Sequence, residues 1–388
     1  MENQIFGCMC GFAFLSCISI AGSNVFLGLA SLMTFYRLYI KRDDLYIKSY
    51  LTIFKVIGIF LTSMLLSVIF SVDMIVGINR LLEAYVYRMF PFFIIICCIK
   101  DFKKILILGG FFLLSLAIVD SYAIWQGLNG NFRANGFFAS AMSLGGVLAM
   151  MIPVLVVLVA DHIALKKYYK SFVFLLIISV LALLFNGTRG SWGAIVLLVP
   201  ILSLPLIKNL KKAGVIFLTS ITLLTILFAF VPQLKGRIDT LTNTNYQSNT
   251  ERLLLWKSAI HMLQDNPIFG VGLGRYTYEY QTNYILPEAK ERGLGHAHNN
   301  FLQMLGEAGF VGIIGFCSMM GYFLYFGIYK WRKNKNIYAL MFLGITLGLL
   351  LQGLTEFNFG NSAVIKLYWG LSAVCIQSIL LNERMLNK

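Results

Sequence analysis

The stretch "GHAHNNFLQMLGEAGFVG", Gly295 to Gly312, sets His296 and His298 one residue apart, beside Asn299 and Asn300. The chain has only four histidines, the others being His162 and His261, so half of them stand here. An imidazole titrates near neutrality, which makes it the side chain best suited to take a proton from a hydroxyl group. No H-E-x-x-H accompanies the pair and no second His/Asp/Glu cluster is visible in the sequence, so the spacing predicts no metal and no cofactor. The alternative reading is a histidine that caps or decorates a surface helix.

Three arginines have the right chemistry for the other half of a reaction. Arg133 lies in "NFRANGFF", Arg189 in "FNGTRGSW" and Arg252 in "NTERLLLW". A guanidinium offers a planar fork of donors that matches phosphate oxygens. The competing use is contact with lipid headgroups, and this is the expectation for Arg80 and Arg88.

These residues must be held by a very apolar chain. It has 388 residues, 58% of them hydrophobic and 13% charged, with a mean hydropathy of +0.77. A soluble protein could not hide that much apolar surface. Windows of about 17–25 apolar residues match a bilayer core, and twelve of them can be read, at roughly 4–21, 23–39, 49–70, 83–99, 103–126, 138–160, 170–186, 190–207, 213–231, 311–329, 336–355 and 361–381. The expected fold class is therefore all-α, a polytopic membrane protein with one large external helical loop. Three regions follow: spans one to nine in 1–231, the loop in 232–310 and spans ten to twelve in 311–388.

The connecting segments alternate in charge. Lys41, Arg42 and Lys48, then Lys100, Lys103 and Lys104, then Lys208, Lys211 and Lys212, then Lys330, Arg332 and Lys333 fall on one side. The positive-inside rule makes that side, and both termini, cytoplasmic. The net charge of +15 is thus a topology signal and not a mark of nucleic-acid binding. The N-terminus lacks a basic n-region and reads as a retained first span. All seven cysteines fall inside predicted spans, with no zinc spacing and no disulfide framework.

The external loop carries recognisable helices. "TERLLLWKSAIHMLQDNP" spaces Leu253, Trp256, Ile260 and Leu263 at the helical period, with Asn249 or Thr250 as cap and Pro267 beyond the end. "GVGLG" predicts a turn over Gly270–Gly274. Asn299 to Ala308 reads as an amphipathic helix lying on the membrane surface before the tenth span, with Phe301, Leu302, Leu305 and Ala308 on its apolar face. The short first outer segment, Ala21 to Asn24, has no carboxylate that could hold a cation. Arg189 sits in a very short outer turn without an acidic neighbour in sequence, the situation of a guanidinium that awaits an anion. An external base together with arginines implies an anionic leaving group.

The pattern resembles the O-antigen ligase family, within the wider superfamily of bacterial polysaccharide ligases and polymerases. His298 and Asn299 followed by Gly309 and Gly312 reproduce that family's strongest signature, and "NPIFGVGLGRY", "TERLLLW", "TRGSW" and "RANGFF" are similar to its other segments. The likeness runs from about Phe132 to Phe316. One departure is "ASAMS", Ala139 to Ser143, where relatives often carry a His-Pro-Asn-like stretch. The resemblance implies a metal-independent, inverting glycosyl transfer at the outer face of the bacterial inner membrane. The donor would be a glycan on undecaprenyl diphosphate, and the acceptor a sugar hydroxyl of the lipid A core or another glycan. His298 would be the base, Arg189 and Arg252 would bind the diphosphate with Arg133 as a further candidate, and Asn299 and His296 would support them. Two alternatives remain open at this level: a polymerase that joins lipid-linked repeat units, and a flippase of lipid-linked sugar. The flippase reading calls for internal repeats and several intramembrane charges. The chain shows Lys55 and Lys366 and no repeat.

Overall fold

The computed structural model describes residues 1–40, 50–161, 166–206 and 246–386. The expected ninth span at 213–231, the start of the large loop and the basic residues at 41–48 and 208–212 lie outside them. The described residues form helices and no strand. In chain order these are α1 (Glu2–Leu15), α2 (Ile20–Ile40), α3 (Leu51–Ile69), α4 (Met74–Arg80), a π turn (Leu81–Val86), a 3₁₀ turn (Tyr87–Met89), α5 (Phe90–Cys98), α6 (Phe102–Leu128), α7 (Ala141–Ala160), α8 (Tyr169–Asn186), α9 (Arg189–Ser203), α10 (Gln247–Asp265), α11 (Tyr276–Glu279), α12 (Asn300–Asn334), α13 (Ile337–Gln352) and α14 (Ser362–Leu386).

Among the described residues, seven helices are long and apolar enough to cross a membrane, with α4 to α5 counting as one continuous span from Met74 to Cys98. Two shorter apolar helices are α9 and α13. The fourth span thus begins earlier than the sequence suggested, because the π and 3₁₀ turns carry the helix through Arg80, Glu83 and Arg88 without a break.

The bundle is built around α14, of which 94% of the apolar window is buried, and α7, at 83%. Helices that must associate in lipid approach through small residues. A Cβ on Gly348 of α13 would lie 2.1 Å from the Ala149 carbonyl oxygen of α7, and one on Gly315 of α12 would lie 2.0 Å from Ser63 Oγ of α3. The basic ends gather at one end of the bundle. Lys104 at the start of α6 binds Asn3 at the start of α1 (2.7 Å), and Lys330 near the end of α12 pairs with Glu383 near the end of α14 (2.7 Å). The opposite end carries the segments 129–140, 266–299 and 353–361.

Two expectations about the large loop are corrected. The surface helix and the tenth span are one helix, α12, kinked at Gly309, whose φ of +61° and ψ of −158° interrupt it. A Cβ there would sit 2.5 Å from the Ile268 backbone, and the kink is stitched to the preceding loop by Phe310 N–H to Pro267 O (2.9 Å) and Val311 N–H to Ile268 O (3.1 Å). The half of α12 before the kink buries Asn300, Gln303 and Glu307 along with Met304 and Ala308, while Phe301, Leu302 and Leu305 are only half-buried. Its polar face turns inward, because it forms part of a polar cavity wall. In α10 the helix starts before Asn249 and Thr250, with no side-chain cap, and buries Glu251, Leu254, Leu255, Ser258, Ala259 and Met262. Leu253 and Ile260, which belong to the apolar stripe read from the sequence, are exposed. The buried stripe packs on α12, shifted round the helix from the predicted face.

Candidate active site

The His296–Asn300 segment is fixed by the loop between α13 and α14. Asn299 caps α12, its side-chain oxygen accepting from Phe301 N–H (2.8 Å) and Leu302 N–H (3.1 Å), while its amide donates to Leu354 O (2.9 Å). Asn300 donates to Asn358 Oδ1 (2.7 Å) and accepts from Phe359 N–H (3.1 Å), and its own N–H reaches Gly353 O (2.7 Å). Asn358 in turn donates to Gln352 Oε1 and Leu349 O. Two segments more than fifty residues apart are thereby locked in register, and this register presents Glu356 to the histidines.

Glu356 Oε2 lies 2.9 Å from His298 Nδ1, with both side chains largely buried. His298 holds a left-handed backbone, φ +47°, a conformation that costs free energy outside glycine and asparagine. Its own N–H donates to His296 Nδ1 (3.2 Å). This contact assigns the tautomers. His296 accepts at Nδ1, so as a neutral ring it carries its proton on Nε2, which is 3.8 Å from Glu356 Oε1. His298, donating from Nδ1 to the carboxylate, keeps its lone pair on Nε2. Of the two rings, His298 has the free basic nitrogen, and Glu356 orients it.

The charges agree with this assignment. Burial, then the positive potential of His298, Arg252 and Arg80, pulls His296 down to about 4, against the smaller opposing pull of Glu356, so it is neutral near pH 7. Burial pushes Glu356 up, but its hydrogen bond and charge interaction with His298, with His296 and Arg252 adding to them, hold it below the ordinary carboxylate value. Burial also lowers Arg252, with the charge of Glu356 opposing.

Arg189 is the first residue of α9, where unsatisfied N–H groups and the helix dipole favour an anion. Gly187, φ +64°, ends α8 and allows the sharp turn into it. The Arg189 guanidinium donates to Asn249 Oδ1 (2.7 Å) and lies over the Tyr246 ring, which links it to α10. Gly190 abuts Thr355, the neighbour of Glu356, leaving no room for a side chain. Arg133 is exposed, with its guanidinium 3.4 Å from Met142 Sδ at the rim of the cavity.

That cavity, of about 330 Å³, is lined by His296, Glu356, Arg80 and Glu307 among others. His298, Arg189, Arg252 and Arg133 are not in its lining. Arg80 and Arg88 therefore do not serve as headgroup contacts: Arg80 faces the cavity, and Arg88 is buried, donating to Gly360 O (2.6 Å) and Glu83 Oε1 (2.8 Å).

The sequence shows no His/Asp/Glu cluster, but the fold brings a carboxylate to the histidines. Ligand atoms of His296, His298 and Glu356 lie within 4.8 Å of one another, the one such grouping among the described residues. A cation there would have to displace the His298–Glu356 hydrogen bond and face Arg252 and Arg80. Glu356 is far from the histidines in sequence, but a signal existed: it is the one acidic residue between Glu307 and Glu383.

A comparison with curated proteins found no match. Residues 174–317 match the family model described as O-antigen ligase, a segment that holds Arg189, Arg252, His296, His298 and the kink at Gly309 but not Arg133 or Glu356. Through that segment the chain is similar to the O-antigen ligase family, and its described residues form helices of which seven are long and apolar enough to cross a membrane.

Proposed function

We propose that the protein is an O-antigen ligase-type glycosyltransferase, which moves a glycan from undecaprenyl diphosphate to a sugar hydroxyl of the lipid A core without a metal and with inversion. The observation that carries this reading is the His298–Glu356 pair (2.9 Å), with the charge of Arg252 acting on the carboxylate. His298 Nε2 takes the proton of the acceptor hydroxyl as its oxygen attacks the anomeric carbon and the bond to the diphosphate breaks. Glu356 stabilises the imidazolium that forms. Arg189 and Arg252 stabilise charge on the departing diphosphate, with Arg133 at the rim and Asn299 and His296 holding the base in place. Direct displacement of a good leaving group needs no general acid and no protein nucleophile.

The same reading places twelve spans in the bacterial inner membrane, with residues 1–231 and 311–388 spanning it and the loop 232–310 facing the periplasm. Gathering of the basic ends opposite the site supports it, with both termini cytoplasmic. Exposed Leu253 and Ile260 suit contact with lipid. The test is purified His298→Ala with an undecaprenyl diphosphate glycan: transfer should fall by the roughly 10²–10⁴-fold of a lost general base, and wild-type activity should survive EDTA. Wild-type turnover in a folded His298→Ala protein would remove His298 from the reaction. Surface glycans of a deletion strain identify the acceptor: a bare core with long lipid-linked chains marks a ligase, and a core bearing a single repeat unit marks a polymerase.

A further inference from the structure

The cavity beside His296 contains two ionisable side chains that the proposed transfer does not use. Arg80 lines it, and its Nε is buried with no hydrogen-bond partner. Glu307 lines it too and is only 3% exposed; its Oε1 accepts from Tyr276 N–H (3.4 Å), while its Oε2 is buried with no partner. Among the described residues the two make no ion pair with each other or with any third residue. Buried polar atoms are nearly always satisfied, so two unsatisfied ones in a single cavity mark a place that a ligand completes.

The fold has made room for this arrangement. Gly274, φ +80°, lies against the Arg80 stem, and a Cβ there would come within 3.0 Å of Arg80 Cβ. The turn Gly270–Gly274 is held on the kink of α12 by Val271 N–H to Gly306 O (2.9 Å) and Gly272 N–H to Glu307 O (3.0 Å). The "GVGLG" turn and the Gly309 kink therefore serve one end, which is to bring Arg80 and Glu307 to the same cavity.

The charge balance selects the ligand class. Glu307 and Glu356 both line the cavity, with Arg80 as its cation and His296 neutral. A diphosphate would meet two carboxylates there, whereas Arg189 and Arg252 lie outside the lining. A neutral polyol suits an unpaired acceptor and an unpaired donor, and the Phe357 ring in the wall suits the C–H face of a pyranose.

We propose that Arg80 and Glu307 form a sugar subsite, in which Glu307 Oε2 accepts a hydrogen bond from one hydroxyl and the Arg80 guanidinium donates to a neighbouring hydroxyl oxygen of one pyranose unit. The unit belongs either to the donor glycan next to the diphosphate or to the acceptor. Its part in transfer rests on the proposed function, but its sugar binding does not.

The experiment uses the full chain in lipid nanodiscs, with Glu307→Gln and Arg80→Lys. Saturation-transfer NMR with methyl glucoside, methyl galactoside and methyl N-acetylglucosaminide reads binding without transfer. The wild type should show saturation of at least one, and each variant should weaken it by about tenfold or more, the loss expected for a hydrogen bond to a charged group. In the transfer assay the KM of one glycan should rise by a similar factor with kcat little changed, and the glycan whose KM moves is the one seated there. Glycoside binding with no transfer would overturn the glycosyltransferase reading and leave the subsite standing. A purely structural role predicts a lower Tm with unchanged KM and unchanged saturation in whichever variant folds, and that result overturns the subsite. So does the absence of glycoside binding in the folded wild type.

Discussion

Replacing Glu356 by Gln removes a charge and almost no volume. The carboxylate accepts from His298 Nδ1 at 2.9 Å, and the two side chains are 12% and 16% exposed. A hydrogen bond to a charged group in such a setting contributes about 1.5–3 kcal/mol. Its full value is felt only when the imidazole becomes imidazolium, in the transition state, so the loss should appear in kcat. At a factor of ten for about 1.4 kcal/mol, kcat should fall roughly tenfold to a little over a hundredfold. The glutamine can also turn its amide toward Nδ1 and favour the wrong tautomer, which would deepen the loss. The assay is transfer from a lipid-linked glycan, with kcat and KM followed separately from pH 5 to 9. Glu356→Asp keeps the charge and should recover part of the rate. A folded Glu356→Gln protein with wild-type kcat would refute the claim that Glu356 orients the base.

Three further outcomes are expected. Arg189→Ala should abolish transfer in a protein that still inserts, and Arg189→Lys should recover little, since a point charge does not replace a fork at a helix N-terminus; full activity in Arg189→Ala would remove it from the site. Gly309→Ala should lower Tm by an amount equivalent to about 1–3 kcal/mol, the cost of holding a residue with a Cβ in a backbone region reserved for glycine, because φ is +61° with ψ −158° and Ile268 backbone lies 2.5 Å from the added atom; an unchanged Tm in thermal unfolding would show the kink to be unstrained. His296 has a folded pKa of about 4, below its ordinary 6.5, so its contribution to stability is present above pH 6.5 and is lost as pH falls through 4. Tm measured from pH 7 to 4 should therefore drop more steeply in the wild type than in His296→Gln, and parallel curves would contradict the buried, neutral ring.

Much of the molecule was legible in the one-dimensional pattern for a simple reason. Apolar runs of bilayer length and the bias of lysine and arginine between them are local properties of the chain, and a membrane leaves helices as the only spanning element open to such runs. The His-Asn signature with its two glycines could be read in the same way, because capping and chain reversal act within a few residues: Asn299 caps α12, and Gly309 bends it. What tertiary structure alone decided is which distant residues meet. Glu356 reaches His298 through the Asn300–Asn358 contact across fifty-eight residues. Arg80 leaves its expected place among the headgroups because α4 runs through a π turn into α5 and faces the cavity. Glu307 turns inward because the kink at Gly309 ties its backbone to the glycine turn at 270–274. Periodicity places a residue on a face of its own helix, but only packing decides what that face meets, and the partner of a buried charge is set by the packing.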